Sequence, residues 1–184
     1  MTQFRVVFPL YPDVTQLDFT GPHQVFSRLP RAQVVTASMG GADMEADGLV
    51  FSGLADLATL EGCEMLCVPG GLGATTVMLD EAFMREIRRL AAGARYVSSV
   101  CTGSLILAAA GLLAGRRAAC HWAWRDLLTP FGAIVDAGRV VRDGNIFTGG
   151  GVTAGIDLGL TVAAEIAGEA VAQAIQLGLE AVRN

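Results

Sequence analysis

Between Ala94 and Leu113 the chain reads ARYVSSVCTGSLILAAAGLL, and this stretch restricts the fold more than any other. Arg95–Val100 is a short apolar run with β-branched and aromatic residues, the pattern of a buried strand. Thr102–Leu113 is rich in Ala and Leu, lacks Pro and closes on Gly111 and Gly115, the pattern of a helix. Cys101 stands on the corner between them. A thiol at the mouth of a helix meets unpaired backbone N–H groups and the positive end of the helix dipole. Both favour thiolate, the nucleophilic form. A lone cysteine is also commonly a small buried hydrophobe, so the corner admits a reactive and a structural reading.

The rest of the chain supplies partners for that strand. Phe4–Phe8, Ala32–Ser38 and Glu64–Val68 are further apolar strands, and Arg116–Ala119 and Ala133–Asp136 are short ones. Val140–Thr148 predicts a hairpin turning on Asp143-Gly144-Asn145, and Asp43–Glu45 with Leu49–Phe51 a smaller one. Helices are expected over Gln24–Leu29, with Pro22 near the first turn, and over Phe83–Ala92, with Arg85, Glu86, Arg88 and Arg89 on a solvated face. Leu54–Leu60 reads as a short helix or turn. Trp122–Thr129 predicts a helix closed by Pro130, and two more follow Gly149-Gly150-Gly151, the first reaching Ile166 and the second spanning Glu169–Glu180. Strands alternating with helices imply an α/β fold with a mostly parallel sheet covered on both faces. Ligands gather at the carboxyl ends of such strands. The segment carrying Asp18, the Pro69-Gly70-Gly71 loop, the Cys101 corner and the triple-glycine loop all fall at such ends. From local sequence, Asp18 is an N-terminal cap or a solvated loop carboxylate. Gly70-Gly71 either brings backbone N–H groups close to a ligand or makes a tight turn.

The 184 residues suit a single domain, 1–184, large enough for a substantial core. A net charge of -5 weighs against a nucleic-acid surface, which needs Lys and Arg to meet phosphates. No apolar run reaches the ~20 residues of a membrane span. Four cysteines and a start that runs directly into a strand, without a secretory leader, give a cytoplasmic expectation. No metal is expected: Cys63 and Cys67 lack a histidine nearby in sequence, and Cys67 falls mid-strand. There is no G-x-S-x-G hydrolase elbow and no G-K-[ST] phosphate loop. Neither His23 nor His121 adjoins Cys101 in sequence; His121 is expected to pack at a helix start, and Trp122 and Trp124 in the core or an interface.

Four segments taken together, FPLYPDVTQLDFTGP, VPGG, SVCTGSLILAAAGLLAGRRAACHW and RVVRDGNIFTGGGVTAGIDLGL, resemble the DJ-1/PfpI superfamily across nearly the whole chain. Within it the sequence is similar to isocyanide hydratases and, almost equally, to the amidase-like domain of some AraC-type regulators. The resemblance implies a flavodoxin-like three-layer sandwich, a homodimer, no cofactor, and a nucleophilic Cys101 on a strained elbow with the acidic Asp18 against it. Thr102 stands where many members carry His, and Asp18 where glyoxalase-type members carry Glu; both differences point to the hydratase branch. The sequence stops at Asn184, short of the C-terminal extension associated with those hydratases and of a helix-turn-helix region.

The activity so implied is addition of water to an isocyanide, a small-molecule substrate, with Cys101 attacking the terminal carbon and Asp18 supplying and removing protons. Thr102 would orient water or substrate, and the N–H groups of Gly71 and Thr102 would steady developing charge. Gly150, Gly151 and Val152 would form a pocket wall. The alternatives in the same family are glyoxalase or deglycase action on small carbonyls and a cysteine-based redox or ligand sensor.

Overall fold

The apolar runs of the sequence lie side by side in one sheet. The computed structural model describes residues 3–182. In chain order the first half contains β1 (Phe4–Pro9), α1 (Gln16–Phe26), β2 (Ala32–Ser38), β3 (Met44–Ala46), β4 (Leu49–Phe51), β5 (Ala55–Asp56) and β6 (Met65–Val68). Then come α2 (Ala74–Val77), α3 (Glu81–Gly93), β7 (Tyr96–Val100), α4 (Gly103–Ala109), β8 (Arg117–Ala118) and β9 (Ile134–Val135). The chain closes through β10 (Val140–Asp143), β11 (Ile146–Gly149), α5 (Ala154–Ala167) and α6 (Glu169–Gly178). The main sheet has seven strands in the order β10-β11-β7-β6-β1-β2-β5. All its pairings are parallel except β10–β11 at one edge. Helices cover both sides, as the α/β reading required.

The register follows from burial. Every residue of β6 and β7 is buried, as strands covered on both faces must be. The two buried serines of β7 are satisfied: Ser98 Oγ donates to the Leu66 carbonyl, and Ser99 Oγ shares a proton with Ser104 Oγ at 2.8 Å. Ser104 Oγ also meets the Ala119 carbonyl at 2.6 Å, so the start of α4 is tied to the segment after β8. On one side α1 crosses α5 at contacts tighter than a Cβ ordinarily makes, where glycine fits without adjustment. A Cβ at Gly159 would stand 3.0 Å from Val25, and one at Gly155 would stand 3.0 Å from the Pro22 ring. The antiparallel β3–β4 hairpin stands outside the main sheet, in the register Met44–Phe51 to Ala46–Leu49.

Several elements differ from the sequence expectation, each for a local reason. Helix α1 begins at Gln16, well before Gln24, so Asp18 lies in its first turn and Pro22 inside it. The proline ring is accommodated against Gly155 of α5, a partner that local sequence does not show. Helix α4 stops at Ala109, short of Leu113, in a Schellman closure. Gly111 has φ +81°, its N–H donates to the Ala108 carbonyl, and the Leu112 N–H reaches Leu107. The segment 54–60 splits into β5 and a 3-10 turn capped by Asp56, whose carboxylate accepts from the Ala58 N–H. Trp122–Thr129 is not an α-helix; a 3-10 helix covers Arg125–Phe131, Pro130 included, and closes on Gly132 in the left-handed region. Glu86 leaves the expected solvated face of α3. It is buried and accepts from Arg89 Nε at 2.6 Å, while the same guanidinium donates to the Leu57 and Leu60 carbonyls.

Gly103 lets α4 seat directly on the end of β6. A Cβ there would run into the Val68 carbonyl and Pro69. Gly103→Ala is therefore expected to destabilise the protein by about 2 kcal/mol in urea denaturation, the cost of an overpacked backbone contact. Gly93→Ala, where a Cβ meets nothing, should leave the unfolding midpoint close to wild type.

Candidate active site

The parallel strands β1, β6, β7 and β11 all end on the same edge of the sheet. Cys101 occupies the corner where β7 stops and α4 begins, with φ +58°, one of the few non-glycine residues in the left-handed region. That conformation costs a side-chain-bearing residue about 1 kcal/mol or more. It is held by the Cys101 N–H, which donates to the Gly149 carbonyl of β11 at 3.0 Å, and by the close seating of Gly103.

The loop after β6 closes the site from the other side. Gly70 N–H donates to Asp18 Oδ2 at 2.9 Å. Gly71 N–H donates to Thr102 Oγ1 at 2.8 Å, and the Thr102 hydroxyl returns a proton to the Gly71 carbonyl at 2.9 Å. The segment after β1 joins this loop as well: the Thr15 N–H donates to the Gly70 carbonyl, and Val14 bridges Gly71. The glycines are there for chain packing. A Cβ at Gly70 would stand 2.7 Å from both Asp18 Oδ2 and Thr102 Oγ1. Gly71, at φ +148°, would drive a Cβ into the backbone of Asp13–Thr15. Tyr11, fully buried, holds the same loop through its hydroxyl, which donates to the Pro69 carbonyl at 2.8 Å.

These bonds change the roles expected for two donors. The Gly71 N–H is committed to Thr102, and the Thr102 N–H is directed at the Cys101 sulfur, where it opposes protonation. Thr102 keeps one hydroxyl lone pair beyond its two bonds to Gly71, enough to accept a proton from water or substrate.

Asp18 is fully buried, neither a solvated loop carboxylate nor a cap. Its Oδ1 has no conventional hydrogen-bond partner, and the Cys101 thiol bears on this carboxyl. Burial pushes Asp18 up to about 7, against the Gly70 N–H and Cys101, which favour the carboxylate; the charge of Asp47 adds to the rise. Burial, and after it the Asp18 charge, pushes the Cys101 thiol up to about 12. Desolvation thus opposes the thiolate expected at a helix mouth, and α4, only seven residues long, is a short helix to counter it. Burial favours the protonated form of the sulfur and moves the titration of the neighbouring carboxyl towards neutral pH.

A cavity of about 150 Å³ opens on Cys101 and Thr102 and is lined also by Thr15, Gly71, Leu72, His121, Trp124 and Val152. Gly150 and Gly151 do not line it. Gly150 lies behind the wall, its N–H donating to the Arg139 carbonyl, because β11 continues straight into the turn before α5. His121 and Trp124 line the cavity, Trp124 while also packing against the core as expected. The signal available for them was their place just past β8, a segment tied to the start of α4 by the Ser104–Ala119 bond. Thr15 and Leu72 had no local signal. Among the described residues no group of three or more His, Cys, Asp or Glu is arranged to hold a metal.

The family model for DJ-1/PfpI matches residues 4–165. The chain belongs to the DJ-1/PfpI family. It is 50% identical over 188 residues to an isonitrile hydratase of Pseudomonas putida, covering 96% of this chain and 78% of that protein. A THiJ/PfpI family protein from Pseudomonas syringae superposes with a TM-score of 0.95 at 38% identity, covering 100% of this chain and 77% of that one. Drosophila melanogaster DJ-1beta shares the fold at 21% identity, with a TM-score of 0.87 over 99% of this chain and all of its own.

A carboxyl raised from 3.8 to about 7 binds its proton more tightly in the folded state than in the unfolded one. Its contribution to stability is complete below pH 4 and is lost as pH rises through 7. Wild-type stability should therefore fall across that window relative to Asp18→Asn, by on the order of 2–4 kcal/mol. Chemical denaturation of both proteins at pH 4, 6 and 8 measures the difference.

Proposed function

We propose that this chain is an isocyanide hydratase, converting R–N≡C and water into the N-substituted formamide R–NH–CHO. The observation that carries the reading is a buried carboxyl held against an elbow cysteine beside a small cavity, in a chain half identical to an isonitrile hydratase. A terminal isocyanide carbon accepts a nucleophile if a proton arrives as the bond forms. With Asp18 ionised, the pair holds its proton on Cys101 beside a carboxylate that can receive it.

In the proposed sequence the ionised Asp18 takes the Cys101 proton as sulfur bonds to the isocyanide carbon. The same proton passes to that carbon, leaving a thioimidate, R–N=CH–S–Cys101, and an ionised Asp18. Water then adds to the carbon, losing a proton to Asp18, and Asp18 returns it to nitrogen. The tetrahedral adduct loses its hydroxyl proton to Asp18, the C–S bond breaks, and the formamide leaves. The proton on Asp18 recombines with sulfur and restores the resting pair. No oxidant, reductant or cofactor enters this balance. Thr102 accepts a hydrogen bond from the incoming water through its free lone pair, and Val152 packs on the substrate's R group. Apolar Leu72, Leu79 and Trp122 are each more than 70% exposed, which supports a homodimer of this single domain. Among the described residues no helix is long and apolar enough to cross a membrane, and the free cysteines suit a reducing cytoplasm.

The test is turnover of an aryl isocyanide with the formamide detected directly. Cys101→Ser should abolish it. Asp18→Asn keeps the acceptor for Gly70 but cannot exchange protons, and kcat should fall by ~100-fold or more. Wild-type protein that consumes methylglyoxal while leaving isocyanides untouched would move the assignment to carbonyl chemistry on the same cysteine.

A further inference from the structure

The β3–β4 hairpin lies outside the main sheet, yet it touches α1 on both sides of Asp18. At its turn Asp47, itself at φ +52°, accepts the Gln16 N–H through Oδ2 at 3.0 Å. Gln16 is the first residue of α1, and its natural cap, Thr15, makes no side-chain capping bond. Asp47 thus caps the helix from another part of the chain. At the other end of the hairpin, Phe51 meets Phe19 edge-on with ring centroids 4.8 Å apart. The two contacts bracket Asp18, one on residue 16 and one on residue 19.

We propose that Asp47 is a positioning residue for Asp18: it clamps the first turn of α1 from the hairpin and presents a negative charge to the buried carboxyl. The inference rests on the hydratase reading only in giving the Asp18 proton its use. The groups that bear on Asp18 come from every side of the site: Tyr11 beyond β1, Cys67 on β6, the Gly70 N–H, Cys101 beyond β7, and Asp47. From α5, Gly155, Ile156 and Gly159 pack on this helix against Pro22, Gly21 and Val25, and none of them carries a charge. None of these groups is a cation. The clamp therefore acts on a carboxyl with no opposing positive charge among them, and Asp47 is the one acidic side chain in the set. With its charge removed, the ionised form of Asp18 becomes easier to reach, and the titration midpoint falls.

Two variants separate charge from clamp. Asp47→Asn keeps a side-chain oxygen for the Gln16 N–H and tolerates the left-handed backbone, but it carries no charge. Asp47→Ala removes both. The readouts, taken on substrate-free full-length protein, are the 13C carboxyl titration of Asp18, assigned with Asp18→Asn, and hydrogen exchange of the Gln16 amide. In Asp47→Asn the Asp18 midpoint should fall by roughly 0.3 unit or more while the Gln16 amide stays protected. In Asp47→Ala exchange of that amide should quicken by about tenfold or more. An unchanged Asp18 midpoint in Asp47→Asn, or an equally protected Gln16 amide in Asp47→Ala, overturns the proposal. Failure of the wild-type protein to hydrate isocyanides would remove the hydratase reading and leave these titrations unaffected.

Discussion

The elbow at Cys101 exists because two stretches of backbone meet without side chains between them. Gly70 lies against Thr102 and Asp18, and Gly103 lies against the Val68 carbonyl and Pro69. This contact lets α4 start directly at the end of the sheet, so that Cys101 must turn through the left-handed region to join β7 to it. The same contact leaves the Gly70 N–H facing Asp18 and the Gly71 peptide facing Thr102. Strain at Cys101 is thus held by its own bond to Gly149 and by the packing of Gly103, contacts made elsewhere in the fold.

Dryness does the chemical work. A thiol at a helix mouth in water would lean towards thiolate, and a carboxyl would be fully ionised. Here burial opposes both charges, and it raises both groups. Both groups therefore favour their protonated forms more than they would in water. The proposed hydration needs protons moved among sulfur, carbon, water and nitrogen and suits such a pair, whereas a permanently exposed thiolate beside an ionised Asp18 would combine two like charges at short range. The β3–β4 hairpin extends the same logic outward, since the first turn of α1 is finished by a group that α1 does not itself contain.

Much of this was legible from residue order. The buried strands around Met65–Val68 and Tyr96–Val100 are read from continuous apolar runs, and the two hairpins from their turn residues, because those signals are local. Cys101 was legible because a β-branched run changes abruptly into an Ala/Leu run around it. Other features failed where a distant partner decides. Pro22 looked like a helix start, but Gly155 of α5 makes room for it within α1. Glu86 looked solvated, but Arg89 and the 57–60 turn bury it. Gly150 and Gly151 were expected in the pocket wall from the resemblance and their place past a strand end, whereas of that loop only Val152 lines the cavity.

Sequence by itself determined the α/β class, the parallel arrangement and the place of the Cys101 corner, since period, punctuation and composition are properties of contiguous residues. Tertiary structure decided the protonation of that corner, because desolvation depends on what surrounds a group and not on what precedes it in the chain. It also decided that His121 and Trp124 face Cys101, through a serine bond spanning from α4 to the segment after β8. The identity of the carboxyl as a buried partner of sulfur belongs to both: Asp18 was nominated by its resemblance to a family pattern, and its contact with Cys101 exists only once β1, β6 and β7 end side by side.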